Sequence, residues 1–279
     1  LKNNCSGLYK LVNKLKEINT LTNADRLALN LTDEYNMKFI QFCLMIIYNK
    51  VCSSVMASKM IDLENMKIGF FPGSSFISDI LQSQKNIMTL NLKNNDLLSN
   101  GIKEIMNPIY NKNNIYDIGR YLKCLCLDGN KLDGKSLKYI RYLIKACPQL
   151  SVISISNNFI SGTSLRHLLH CTREKEEMTN LYLNNNMLGS KCGENLAGIL
   201  TNLINLKELN ISCNCIGDIP IPLIINPLKK NTSIENLDLG CNDIGPNSAG
   251  YIAAFLSNNR NLKILCLNNN PLTASGIKS

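Results

Sequence analysis

The sequence predicts an α/β solenoid in which a parallel sheet is built one strand per unit and helices fill the other side. Two observations carry this. The pattern apolar-x-x-apolar-x-apolar-x-x-Asn-x-apolar recurs in seven segments, with its asparagines at Asn95, Asn130, Asn158, Asn186, Asn214, Asn242 and Asn270. After one gap of 35 residues, every later spacing is 28. A fixed period of this size means stacked supersecondary units, so a domain count taken from chain length does not apply.

Within a unit, the apolar-x-apolar core, for example Leu181-Tyr182-Leu183, alternates with period two and predicts a short strand with two inward side chains. The asparagine ends the strand and turns inward. Its amide can satisfy loop backbone groups that a hydrophobic residue would leave unpaired, at a cost of ~1–3 kcal/mol each. The second half of a unit predicts a helix. Leu196, Ile199, Leu200 and Leu203, and again Ile252, Phe255 and Leu256, are spaced three and four apart. Helices are wider than strands, so the strands are expected on a concave face and the helices on a convex one.

Three departures refine the pattern. Pro220, Pro222 and Pro227 fall where neighbouring units have helix, which predicts an irregular outer segment there. The unit starting at Ile87 has about seven extra residues, placed near Asn111–Asp117 as an outer loop. Leu63, Met66 and Ile68 fit a degenerate first unit over 61–86, with Phe71 in the asparagine place. Residues 1–60 lack the repeat but have helical spacing, as at Leu8, Leu11, Val12 and Leu15, and are expected to form a helical N-terminal cap. Residues 87–279 then hold seven repeats, the last truncated, with an expectation that the natural chain continues.

These motifs resemble the ribonuclease-inhibitor-like class of leucine-rich repeats: the 28-residue period, the helical outer half, and tails such as Asn231-Thr-Ser-Ile234 after Ile216-Gly217. That class includes ribonuclease inhibitor, Ran GTPase-activating proteins, repeat domains of NOD-like receptors, tropomodulin and axonemal proteins. The resemblance implies a horseshoe that binds proteins, and it names no partner, because the shared residues are structural.

Composition sets the remaining bounds. Hydrophobic residues at 45% and charged residues at 18% supply a core and argue against a disordered chain. The net charge of +9 comes from scattered lysines, with Lys229–Lys230 the one adjacent basic pair, and is read as compositional bias rather than a nucleic-acid footprint. Twelve cysteines follow the repeat rather than a paired framework, so reduced thiols in an intracellular, cytoplasmic or nuclear compartment are expected. Cys213 and Cys241 share one repeat position. Cys124/Cys126 and Cys213/Cys215 are C-x-C pairs, whose spacing does not suit an ordinary zinc site. The N-x-S/T matches at Asn4, Asn30, Asn210 and Asn231 are attributed to asparagine abundance. No signal peptide is visible, and Phe39–Tyr48 is far shorter than the ~20 residues a spanning helix requires. Membrane insertion is not expected.

One motif points to chemistry. Gly129-Asn-Lys-Leu-Asp-Gly134-Lys135-Ser136 satisfies the phosphate-loop pattern G-x-x-x-x-G-K-[ST]. Asn130 and Leu132 are repeat positions, however, so the segment is expected to be an ordinary repeat loop, and no cofactor is assigned. His167 and His170 have no nucleophile beside them in the pattern and are read as outer-face residues.

The predicted function is therefore a non-catalytic scaffold or adaptor. Its candidate contacts are Val152 and Tyr182, taken as lateral neighbours on the concave face. Phe159 and Met187 follow at the strand-end rim, Glu208 and Asp238 favour basic side chains of a protein partner, and Asp128 is a further contact candidate on the same face. Phe159 and Met187 have an equal alternative, folding back to cover loop edges. Three rival readings stand beside it: an activating protein for a small GTPase, resembling the Ran-directed ones; the sensing half of a NOD-like receptor; and an axonemal or cytoskeletal subunit.

Overall fold

The computed structural model describes residues 59–69, 73–74, 77–78, 81, 86–110 and 119–273. The expected N-terminal cap, the outer loop near 111–117 and Phe71 lie outside these residues. Eight three-residue strands form one parallel sheet in sequential order. They are β1 (Met60–Asp62), β2 (Thr89–Asn91), β3 (Cys124–Cys126), β4 (Val152–Ser154), β5 (Asn180–Tyr182), β6 (Glu208–Asn210), β7 (Asn236–Asp238) and β8 (Ile264–Cys266). Between them run helices α1 (Leu98–Tyr110), α2 (Gly134–Ala146), α3 (Arg166–Leu169), α4 (Gly193–Asn202), α5 (Ile221–Lys230) and α6 (Pro246–Asn258). Parallel strands lie about 4.8 Å apart and packed helices about 8–10 Å apart, so the stack curves with the strands on its inner arc.

Identical register from unit to unit produces columns of like side chains. Leu90, Leu125, Ile153, Leu181, Leu209 and Leu237 stand level and are buried, as are Leu92, Leu127, Ile155, Leu183, Ile211 and Leu239 just beyond them. A third column follows the turn, from Leu97 through Leu132, Ile160, Leu188 and Ile216 to Ile244. On α4, Leu196, Ile199 and Leu200, with Leu203 at its C-cap, close the core from the outside. On α6, Ile252 and Phe255 are buried with Ala249, whereas Leu256, expected on the same face, is exposed.

The asparagine column is a hydrogen-bonded ladder. At Asn158, the amide Nδ2 donates to the carbonyls of Leu127 (3.1 Å), Ile155 (3.1 Å) and Ser156 (2.9 Å). Its Oδ1 accepts from the backbone N–H groups of Asn130 (3.0 Å) and Leu132 (2.9 Å) in the preceding unit. Asn95, Asn130, Asn186, Asn214, Asn242 and Asn270 repeat the donor half of this arrangement, each reaching back to a carbonyl of the unit before. One position earlier the backbone is left-handed in every unit, with φ between 53° and 65° from Asn94 and Gly129 to Asn269. Asparagine and glycine tolerate that conformation best, which explains their recurrence there.

Two expectations are corrected. Strand β1 pairs with β2 so that Ile61 faces Leu90, which places Leu63 level with Leu92 and Met66, not Phe71, level with Asn95. The first unit is thus shifted by five residues from the sequence reading. Met66 lacks a ladder amide, and its own N–H donates to Asn95 Oδ1 at 2.9 Å. The proline segment is also regular: Pro220 caps α5, Pro222 lies in its first turn, and only Pro227 is interior. A first-turn proline gives up an N–H that has no helical partner in any case, so it favours the helix.

Candidate functional site

The side chains alternating with the buried columns line the inner arc in level rows. One row runs Cys124, Val152, Asn180, Glu208, Asn236, Ile264, and the next runs Cys126, Ser154, Tyr182, Asn210, Asp238, Cys266. Tyr182 is therefore level with Ser154 and Asn210, while Val152 is level with Asn180. The expectation that Val152 and Tyr182 are lateral neighbours is corrected by one row.

Tyr182 sits in a polar chain that crosses three strands. Asn180 Nδ2 donates to the Tyr182 hydroxyl (2.8 Å), that hydroxyl donates to Glu208 Oε2, and Asn236 Nδ2 donates to Glu208 Oε1 (2.9 Å). Burial and the Glu208 carboxylate raise the phenol above its ordinary pKa, so it stays a neutral donor. Beside the chain lies a shallow depression of about 200 Å³, lined by Tyr182, Glu208, Asn210, Asn236, Asp238, Ile264 and Cys266. Ile264 is 54% exposed and forms its apolar edge. Asp238 turns one oxygen to the Gly240 N–H (2.9 Å) and remains half-buried.

The other candidates lie outside this depression. Asp128 is buried and committed to its own sheet, accepting from Ser154 Oγ (2.5 Å) and the Ser156 N–H (2.8 Å) and pairing with Lys93 Nζ (3.2 Å). It offers a partner little. Phe159 and Met187 are 54% and 64% exposed in the loops that follow the ladder. Their backbones are fixed by N–H bonds to the Leu132 and Ile160 carbonyls, at 2.7 and 2.9 Å. Sequence reasoning missed Asn236, Ile264 and Cys266 as members of one site. The constant 28-residue offset from Glu208 and Asp238 to their level neighbours was the available signal.

At the phosphate-loop match, Asp133 caps α2. It accepts from the N–H groups of Lys135 (2.9 Å) and Ser136 (3.1 Å), and Ser136 Oγ accepts from the Asp133 N–H (3.2 Å). Ser99 Oγ donates to the same carboxylate. The N–H groups that would cradle a phosphate already hold a carboxylate.

Basic residues gather on the outer side. Lys138 and Lys145 on α2 and Arg166, His170 and Arg173 beyond it are exposed, with Arg141 half-buried among them. His167, on the same surface, is half-buried with no partner for its Nδ1, and burial followed by Arg166 and Arg141 lowers its pKa. A second depression, about 450 Å³ and mainly apolar, lies between α4 and α5 and is lined by Ala197, Leu200, Ile204, Leu223 and Pro227. Among the described residues, no helix is long and apolar enough to cross a membrane.

The leucine rich repeat family profile matches residues 202–219 and 230–253, which carry β6, β7 and the ladder residues Asn214 and Asn242. No curated protein matches the chain. Among solved structures, the crystal structure of an internalin from Listeria monocytogenes aligns with a TM-score of 0.36 and 17% identity. The alignment covers 71% of this chain and 66% of that one, just under two thirds of the internalin chain. With its sequential parallel sheet, constant register and asparagine ladder, the fold is that of a leucine-rich-repeat solenoid, and residues 202–219 and 230–253 are similar to that family in sequence as well.

Proposed function

We propose that this protein is a non-catalytic scaffold or adaptor that holds a protein partner on its concave face, as a subunit of an intracellular assembly. The observation that carries this reading is the Tyr182–Glu208–Asn236 chain beside the depression closed by Asp238 and Ile264. It combines a fixed aromatic ring, two carboxylates and an exposed aliphatic edge on a rigid sheet, which is the make-up of an interface anchor rather than of an active site. The carboxylates favour a basic side chain, and Ile264 favours an apolar one next to it. Val152, Phe159 and Met187 would extend the contact toward β4 and the strand-end rim. Helices of 10 to 13 residues in α4, α5 and α6 support the ribonuclease-inhibitor-like subtype, in which the outer half of a unit is helical.

The test is site-directed photo-cross-linking in lysate. A photoreactive amino acid at position 210, inside the depression, is compared with one at position 201 on α4. A protein cross-linked from 210 and not from 201 supports the reading. Cross-links from 201 alone would make the solenoid a spacer that binds by its outer helices.

A further inference from the structure

Lys175 is a lysine only 5% exposed. After α3 the chain turns twice, with the Lys175 N–H donating to the Thr172 carbonyl (3.2 Å) and the Met178 N–H donating to the Lys175 carbonyl (3.1 Å). The side chain folds against the end of α2, where its Nζ donates to the carbonyl of the C-cap residue Cys147 at 2.7 Å. A helix C-terminus carries about half a negative charge, so this bond offsets only part of a full positive one. Among the described residues, no carboxylate forms an ion pair with that ammonium. Burying a charge without a matching one is costly.

Lys175 lines a depression of about 360 Å³ on the outer side of the solenoid, together with the exposed Lys145, His170 and Arg173. Glu174 is the one carboxylate in that lining, so Lys145, Arg173 and Lys175 leave an excess of two positive charges. The Cys171 thiol in the same wall is pushed up to about 12 by burial and drawn back by Lys175, and also by Lys145 and Arg141, so these charges converge on one place. We propose that this depression is a second binding site, separate from the concave face, that takes a phosphoserine or phosphothreonine side chain of a partner protein.

A phosphate monoester carries about −1.5 to −2 charges at neutral pH and presents three strong acceptor oxygens. That charge matches the local excess, whereas a carboxylate would balance only half of it. The Arg173 guanidinium suits two phosphate oxygens side by side, and the Lys145 and Lys175 ammonium groups suit the third as point charges. Burial lowers the Lys175 pKa, and a dianion beside it favours the charged form again. Glu176 and Glu177 are exposed further along the same loop and repel the continuous negative backbone of a nucleic acid, so a single phosphate fits better than a polyanion. The site lies at the opposite end of α2 from the phosphate-loop match, whose N–H groups Asp133 already holds.

The experiment titrates the full chain into a blocked Ala-Ala-phosphoserine-Ala-Ala peptide carrying an uncharged fluorophore and reads fluorescence anisotropy. The same peptide with serine, and a single-stranded oligonucleotide as competitor, are run at equal ionic strength. The phosphopeptide should bind and the serine peptide should not. Arg173→Ala and Lys145→Ala, both at exposed positions, should each weaken binding at least about tenfold. Lys191→Ala, at an exposed lysine before α4, should leave it unchanged. Lys175→Met should abolish binding, and because it also removes a buried bond, the decision rests on the exposed positions. Absence of phosphopeptide binding, equal binding of the two peptides, or equal weakening by Lys191→Ala overturns the proposal. An oligonucleotide that binds through Lys145 and Arg173 more tightly than the phosphopeptide overturns it in favour of nucleic acid.

Discussion

Asn158 shows what one side chain does for the whole stack. Five buried backbone groups depend on its amide, three carbonyls and two N–H groups. Leucine is similar in size but satisfies none of them. Asn158→Leu is expected to cost on the order of 3 kcal/mol or more, given ~1–3 kcal/mol for each buried group left unpaired and partial relief by relaxation. Asn205→Ala removes one exposed side-chain bond to the Glu176 carbonyl, and should cost under ~1 kcal/mol. Urea denaturation of both variants checks the contrast. This is also the scale at which the sequence is most legible, since a buried asparagine at constant spacing has few explanations other than a ladder. The side-chain partners of Tyr182 and Asp128 were not legible. They depend on which of two outward residues meets which on the next strand, and that register sets Val152 level with Asn180 rather than Tyr182.

At the scale of elements, the turn into α2 and the proline helix α5 make separate predictions. Asp133 is held below its ordinary pKa: burial works against this, and bonds from the Ser99 hydroxyl and the Ser136 and Lys135 N–H groups outweigh it. A carboxylate with a depressed folded-state pKa stabilises above its unfolded value and loses that contribution as pH falls through the folded one. Asp133→Ala should therefore cost ~1 kcal/mol at pH 7. The gap from wild type should shrink below about pH 4, as read from urea midpoints at several pH values. In α5, Pro227 cannot donate to the Leu223 carbonyl one turn earlier. Pro227→Ala restores that bond and gives back some unfolded-state freedom, for an expected net gain of about 1 kcal/mol in the same assay. Proline content alone predicted an irregular segment here. The outcome was decided by position, because two of the three prolines fall at the helix start, where the fold tolerates them, and the buried faces of Ile221, Ile224, Ile225 and Leu228 hold the rest.

At the scale of the molecule, strand order and core columns follow from the period alone, because each unit can bury its apolar face only on its neighbours. The first unit was legible in outline and wrong in register, since Met66 replaces the one residue that marks the frame. Among the described residues, the inner arc carries carboxylates at Asp62, Glu64, Asp128, Glu208 and Asp238 against Lys93, while Lys138, Lys145, Arg166 and Arg173 are exposed on the outer side. The two surfaces thus differ in sign, and a partner's choice between them can be measured. The most direct measurement compares retention of the captured partner by wild type, by Tyr182→Ala/Glu208→Lys on the inner arc, and by Leu223→Asp between α4 and α5. Concave binding predicts at least a tenfold loss of affinity for the inner-arc variant, equivalent to ~1.4 kcal/mol, and no change for the outer one. Full retention by the inner-arc variant together with loss by Leu223→Asp would contradict it.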